Sequence, residues 1–290
     1  MGPESSEGPA PSRLGQSESD LRGIVGDLRG VRVVVTGATS GLGAAMADAL
    51  LAAGASVAVA ARASERLSRF VAERRERELD AHALAMDVRD PSSVEAAVRS
   101  LECTFGDVDV VINNAGVGMG VVNPRFLEVA TPFFDVSPDD FRDAVATNLT
   151  GYFLVARAFA PRFVDRGRGR FVNVTANYAT MRRRGFVPYG PSRAGAEALS
   201  LIMVEDLRPY GVSVNLLLPG GATETAMVPD SVPRDVRGTL LRPEVMGPPS
   251  VFLASLEAEG VTGERIVAKE FDSWLREFRS RPTGAGSATH

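Results

Sequence analysis

The chain has 290 residues, 44% hydrophobic and 23% charged, with a formal net charge of −4 and a pI near 5.4; this ordinary globular balance leaves no electrostatic footprint for nucleic acid or an anionic membrane. One cysteine, Cys103, excludes an intrachain disulfide and points to a reducing compartment, and two widely separated histidines, His82 and His290, give no metal-ligand spacing. No apolar run reaches the roughly 18 residues of a membrane span and no signal-peptide h-region opens the chain, so a cytoplasmic protein is expected.

Residues 1–27 are rich in Ser, Glu, Gly and Pro without an apolar period, which predicts a disordered tail. Residues 280–290 are expected to be a second flexible tail. Between them, apolar strands alternate with amphipathic helices. Strands are expected at 31–36, 56–61, 81–86, 108–112, 170–175, 212–218 and 264–268. Helices are expected at 41–53, 64–78, 91–104, 138–165, 189–208 and 243–258, with a short end-helix from Phe271 to Phe278. That alternation predicts a single doubly wound α/β domain over 28–279: a parallel sheet of about seven strands with helices on both faces. The charged run Glu73 to Glu78 reads as a solvated helix face.

The first strand enters Thr36-Gly37-Ala38-Thr39-Ser40-Gly41-Leu42-Gly43 and leaves as an Ala/Leu-rich helix. Glycines at 37, 41 and 43 remove the Cβ atoms that would keep a phosphate from the backbone, and the N–H groups of the helix start face it. The same pattern is compatible with a plain glycine-rich turn. Ligands of such sheets bind beyond the carboxyl ends of the strands. After the second strand stands Arg62, where an acidic residue would favour a free ribose 2′-OH; an arginine suits a 2′-phosphate. After the third come Asp87 and Val88, the carboxylate suited to an adenine amino group or to a turn. After the fourth, Asn113-Asn114-Ala115-Gly116 sets two amides beside a small-residue turn, able to hold a cofactor by hydrogen bonds.

Together these features resemble the short-chain dehydrogenase/reductase family over about residues 29–268. Thr36-Gly37 to Gly43 resembles its cofactor loop and Asn113-Asn114-Ala115-Gly116 its strand-four motif. Asn148-Leu149-Thr150-Gly151 resembles the helix carrying the family's catalytic asparagine. Tyr189-Gly190-Pro191-Ser192-Arg193 lies where Y-x-x-x-K belongs, and Pro219-Gly220 with Thr225-Ala226-Met227 resembles the nicotinamide-side stretch. The resemblance implies a Rossmann-type fold, bound NADP(H), and paired subunits as a homodimer or homotetramer. It also implies hydride transfer with a small-molecule carbonyl/alcohol substrate. The implied cofactor contacts are Gly37, Thr39, Ser40, Gly41, Leu42, Gly43, Arg62, Asp87, Val88, Asn114, Ala115, Gly116, Tyr189, Arg193, Pro219, Gly220 and Thr225.

Two catalytic positions depart from the family. The serine thirteen residues before the tyrosine is Ala176, and the lysine four residues after it is Arg193. Tyr189 is expected as the acid/base. Arg193 would supply the positive charge that eases phenol ionisation and would donate to the nicotinamide ribose, but it cannot relay a proton. Asn148 would support water or Arg193. Losing the serine hydroxyl removes a donor worth about 2.7–4 kcal/mol in comparable sites; Tyr178 or Asn177 is expected to cover for it. Thr175 points to the opposite strand face. The run Met181-Arg182-Arg183-Arg184-Gly185 reads as a solvated turn or as a receptor for an anionic group, a carboxylate, phosphate or carrier-linked phosphopantetheine. The long segment 118–138, with Phe126, Phe133 and Phe134, is expected to wall the nicotinamide side, and 223–242 to form the substrate loop. The departures leave two alternatives open: a non-redox dehydratase, lyase, isomerase or cyclase, and a catalytically silent nucleotide-binding protein.

Overall fold

The computed structural model describes residues 26–229 and 231–281; the expected tails lie outside them, apart from residues 26–27 and 280–281. In chain order the elements are β1 (Arg32–Thr36), α1 (Gly41–Ala52), β2 (Ser56–Ala61), α2 (Glu65–Arg75), β3 (Ala81–Ala85), α3 (Pro91–Thr104), β4 (Val110–Asn113), α4 (Pro138–Val145) and α5 (Gly151–Arg166). There follow β5 (Gly169–Val174), α6 (Tyr178–Met181), α7 (Tyr189–Leu207), β6 (Val212–Leu218), α8 (Arg234–Arg237), α9 (Gly247–Ala254), β7 (Arg265–Val267) and α10 (Phe271–Ser280). The seven strands form one parallel sheet in the order β3-β2-β1-β4-β5-β6-β7.

Strand alternation sorts the core into two layers. Val33 and Val35 of β1 face one side, where Met46 and Leu50 of α1, Phe70 of α2, Phe252 of α9 and Phe271 of α10 pack. Val34 faces the other, with Val94 of α3, Phe159 of α5 and Met203 of α7. Four aromatic rings close the first layer: Trp274 stacks on Phe271 and Phe278 and meets Phe252 edge-on, so the end-helix finds its partner within this chain.

Four local departures from the pattern have physical causes. The helix expected over 138–165 is broken by a π turn, Ala146–Thr150, which hydrophobic periodicity does not register. The helix expected over 243–258 keeps α-geometry only in α9, flanked by 3-10 turns at Pro243–Met246 and Leu256–Ala258. A short helix, α6, forms in the loop after β5. The charged run at 73–78 is not only a solvated face. Arg74 forms a two-bonded ion pair with Asp48 of α1 and lies 3.5 Å over the Phe70 ring, and the helix stops at Arg75.

Candidate active site

Strand order reverses between β1 and β4, so the loops leaving these neighbours diverge to opposite faces and open a crevice. Its floor is held by backbone and small polar groups. Thr36 Oγ1 accepts the N–H groups of Asn114 and Ala115 at 2.9 and 3.0 Å, and Asn114 Nδ2 donates to the Thr36 and Gly37 carbonyls at 2.8 and 3.3 Å. Gly37 adopts φ +65°, and a Cβ there would lie 2.8 Å from Ala115 Cα. The turn is therefore glycine for both its left-handed backbone and its closeness to β4. Ser40 begins α1 without a side-chain cap, and no acidic residue stands in the first turn. The orphan N–H groups of a twelve-residue helix thus remain for a negatively charged ligand.

Thr225 closes over this turn: its Cγ2 lies 3.2 Å from where a Gly41 Cβ would be, while Met227 covers Gly118. Pro219 O accepts the Lys269 N–H, and Gly220, at φ +92°, turns the chain off β6 toward this cover. An isolated parallel bridge pairs Thr223 with Leu241, so the chain returns to this edge after its excursion. At the other end, Arg62 is exposed after β2, and Arg66 at the start of α2 donates Nε to the Thr39 carbonyl at 3.1 Å. Arg66 was not singled out from the sequence; its place in the first turn of α2, close after Arg62, was the available signal.

Asp87 is already paired. It accepts the N–H, Nε and Nη2 of Arg89, and that bond holds its carboxyl below the ordinary range, opposed in part by burial. Val88 is buried, and its Cγ2 would lie 2.9 Å from a Cβ on Gly151, so its side chain packs against α5. Asn113 is buried and donates to Asn173 Oδ1, its partner in the β4–β5 register; Asn173 in turn donates to Ser200 of α7. Both strand-four amides therefore bond to protein, Asn113 within the core and Asn114 to the glycine turn.

Tyr189 opens α7, with Phe186 edge-on at 6.4 Å and Phe126 edge-on to Phe186 at 5.7 Å. From the segment 118–138, Phe126 packs on Phe186 and Ala130 lies against Gly185. Phe133 and Phe134 instead stand more than 70% exposed. Arg183 lies 4.8 Å over the Phe186 ring. Asn148, in the π turn, is fully buried. It accepts the Val117 N–H and donates to Val117 O and to Ser192 Oγ, at 2.8, 3.0 and 3.0 Å. Ser192 Oγ donates to Tyr189 O. Asn148 thus bolts the loop after β4 to the start of α7, and none of these bonds goes to Arg193.

Arg193 is 3% exposed. Its Nη1 donates to Tyr152 Oη at 2.7 Å and to Val174 O at 3.1 Å, and its guanidinium carbon lies 5.5 Å from the Tyr189 ring centre. Burial works against its charge, but the two phenols outweigh that and hold its pKa above the ordinary value. Burial likewise raises the Tyr152 pKa, against the pull of Arg193. Tyr152 was not identified from the sequence, since one aromatic among several on α5 carries no sign of its partner.

Tyr178, at the start of α6, is half exposed. Its pKa is raised chiefly by its hydrogen bond to Glu197, and its ring lies 4.0 Å under the Arg265 guanidinium. Arg265 pairs with Glu197 at 2.9 Å and donates to the Ala176 carbonyl, while Thr175 Oγ1 donates to Glu197 at 2.7 Å. A buried carboxylate draws its donors together. The Thr175 hydroxyl, adjacent to Ala176, is drawn to Glu197.

Among the described residues no cluster could hold a metal ion, and no helix is long and apolar enough to cross a membrane.

The short chain dehydrogenase family profile matches residues 31–235. The chain is similar to gluconate 5-dehydrogenase of Gluconobacter oxydans, 31% identical over 67% of this chain and 72% of the relative. It is 28% identical to the 3-oxoacyl-acyl-carrier-protein reductase FabG of Vibrio harveyi, over 83% of this chain and 96% of that one. Among solved structures, a gluconate 5-dehydrogenase from Burkholderia cenocepacia, in complex with NADP and tartrate, superposes with a TM-score of 0.74 at 26% identity, covering 85% of this chain and 98% of that one.

Proposed function

The chain belongs to the short-chain dehydrogenase family, and on that premise we propose that it is an NADP(H)-dependent oxidoreductase of a carbonyl/alcohol pair with Tyr189 as acid/base. The observation that carries this reading is the buried Arg193 guanidinium beneath Tyr189 at the crevice. An arginine stays charged at any ordinary pH. Opposite unit charges about 4–6 Å apart attract by roughly 3–4 kcal/mol at an effective dielectric of 20. That favours negative charge on the phenol oxygen as it gives up or regains a proton.

NADP(H), when bound, supplies or accepts the hydride. The protein's part is to hold and orient it. The start of α1, with Thr39 to Gly43, takes the pyrophosphate, Ala115 and Gly116 let the chain run close, and Thr225 covers it. Arg62 and Arg66 meet the 2′-phosphate, and Asp87 shares its carboxylate between Arg89 and the adenine amino group. The NADP in the Burkholderia relative supports the choice of nucleotide.

Titration with NADPH and NADH tests the binding half. Replacing Arg62 and Arg66 together by alanine is expected to weaken NADPH about a hundredfold or more, since charge-assisted bonds contribute about 1.5–3 kcal/mol each when well ordered, and to leave NADH nearly unchanged. Equal weakening of both would remove the 2′-phosphate argument. Following nicotinamide absorbance with a panel of carbonyl substrates tests the hydride half. FabG-like relatives make carrier-linked 3-oxoacyl groups one member of that panel, and sugar acids another.

One observation favours the non-redox or silent alternatives: the hydroxyl of Thr175, next to the missing serine, donates to Glu197 instead. Ala176→Ser separates the readings. As a hydride-transfer enzyme, the protein should gain turnover, about tenfold or more, on regaining that donor; unchanged nicotinamide oxidation across the panel would favour the alternatives.

Pairing of subunits is part of the same proposal. Phe153 on α5 and Leu201 and Ile202 on α7 stand about half exposed, an apolar area suited to a second copy. Sedimentation should give a dimer or tetramer.

A further inference from the structure

We propose that Tyr152 is a positioning residue that fixes the Arg193 charge inside the protein, beneath Tyr189, and keeps it off the coenzyme. The inference rests on the reading of Tyr189 as acid/base.

A guanidinium needs more room than an ammonium and offers donors in a rigid plane. The structure accommodates it by turning it inward. Tyr152 Oη donates to Val174 O at 3.0 Å, which leaves its lone pairs for Arg193 Nη1 at 2.7 Å; Nη1 also reaches Val174 O. The guanidinium carbon is 5.6 Å from the Tyr152 ring centre and 5.5 Å from that of Tyr189, so the charge is shared between an inner and an outer phenol. Its Nη2 lies against Gly116, where a Cβ would collide with it, so the glycine covers the guanidinium from the crevice side. With 3% exposure, the side chain offers almost no surface to a ribose. Nε has no hydrogen-bond partner, so the Tyr152 hydroxyl and the Val174 carbonyl carry the anchoring. Position 193 then acts by charge alone, and Tyr152 decides where that charge sits.

Two measurements on the full chain test this. In the first, NADPH affinity is read from coenzyme fluorescence. Arg193→Met should change the dissociation constant by less than about fivefold; a larger loss means the guanidinium touches the coenzyme and overturns the proposal.

The second is a double-mutant cycle with Tyr152→Phe and Arg193→Met, read as kcat and KM for NADPH-dependent reduction of 9,10-phenanthrenequinone or ethyl 3-oxobutanoate. Tyr152→Phe should lower kcat about tenfold with KM for NADPH unchanged. In the Arg193→Met background it should have no further effect within about twofold, because a residue acting through another is silent once that other is gone. Additive losses, or a Tyr152→Phe effect confined to KM or to melting temperature, overturn the proposal. Should Tyr152→Phe fail to fold, Tyr152→Met fills the same space without the hydroxyl and the same outcomes apply. If Tyr189→Phe turns over as fast as the wild type, the acid/base reading falls, while the affinity measurement still decides whether Arg193 meets the coenzyme.

Discussion

Tyr189→Phe is expected to lower turnover by about 10²–10⁴-fold, the usual contribution of a positioned proton donor or acceptor, while NADPH affinity stays within a few-fold of the wild type. Only the hydroxyl is removed. The ring keeps its contact with Phe186, and the Asn148–Ser192 clamp on the start of α7 is untouched. Arg193 then loses the group it serves, so Arg193→Met added to Tyr189→Phe should cost little more. The measurement is initial-rate nicotinamide absorbance with a responsive carbonyl substrate. Full turnover in Tyr189→Phe would remove both the redox and the proton-transfer readings at once, because both place the transferred proton on that phenol.

Gly43→Ala should be the most damaging small substitution in the nucleotide half. The added Cβ would fall inside contact distance of the Gly37 carbonyl and of Asn114 Nδ2. Neither can yield cheaply. The carbonyl is the backbone of the turn itself, and Asn114 Nδ2 is the donor that ties that turn to β4. Overpacking of this kind costs about 1–3 kcal/mol, and each kcal/mol moves the melting temperature of a domain this size by about 2–4 °C. A fall of roughly 3–10 °C by calorimetry is therefore expected, together with at least tenfold weaker NADPH binding. A variant with unchanged melting and unchanged affinity would show that the turn relaxes freely and does not form the nucleotide cradle.

Much of the architecture was legible because its signals are local. The β-branched runs at 31–36 and 56–61 became β1 and β2, and Asp90-Pro91 set the start of α3, where the aspartate caps the helix and the proline supplies the first turn. Charge is legible too, as with Arg62, exposed just beyond the end of β2. The π turn around Asn148 was not, since it adds one residue to a helical turn without altering composition or apolar spacing. Nor were the protein partners of Asn148 legible: its three bonds go to Val117 and Ser192, which lie 31 and 44 residues away.

The sequence by itself determined the order of strands and helices, the glycine turn and the phenol and guanidinium four residues apart on one helix. Each depends on neighbours within a few positions along the chain. Only the tertiary structure decided what those groups touch. It gave Arg193 to Tyr152 on another helix, Tyr178 to Arg265, and Asn113 to Asn173 across the sheet. A buried polar group takes whichever partner the packing brings within about 3 Å, and that partner is chosen by the register of distant elements.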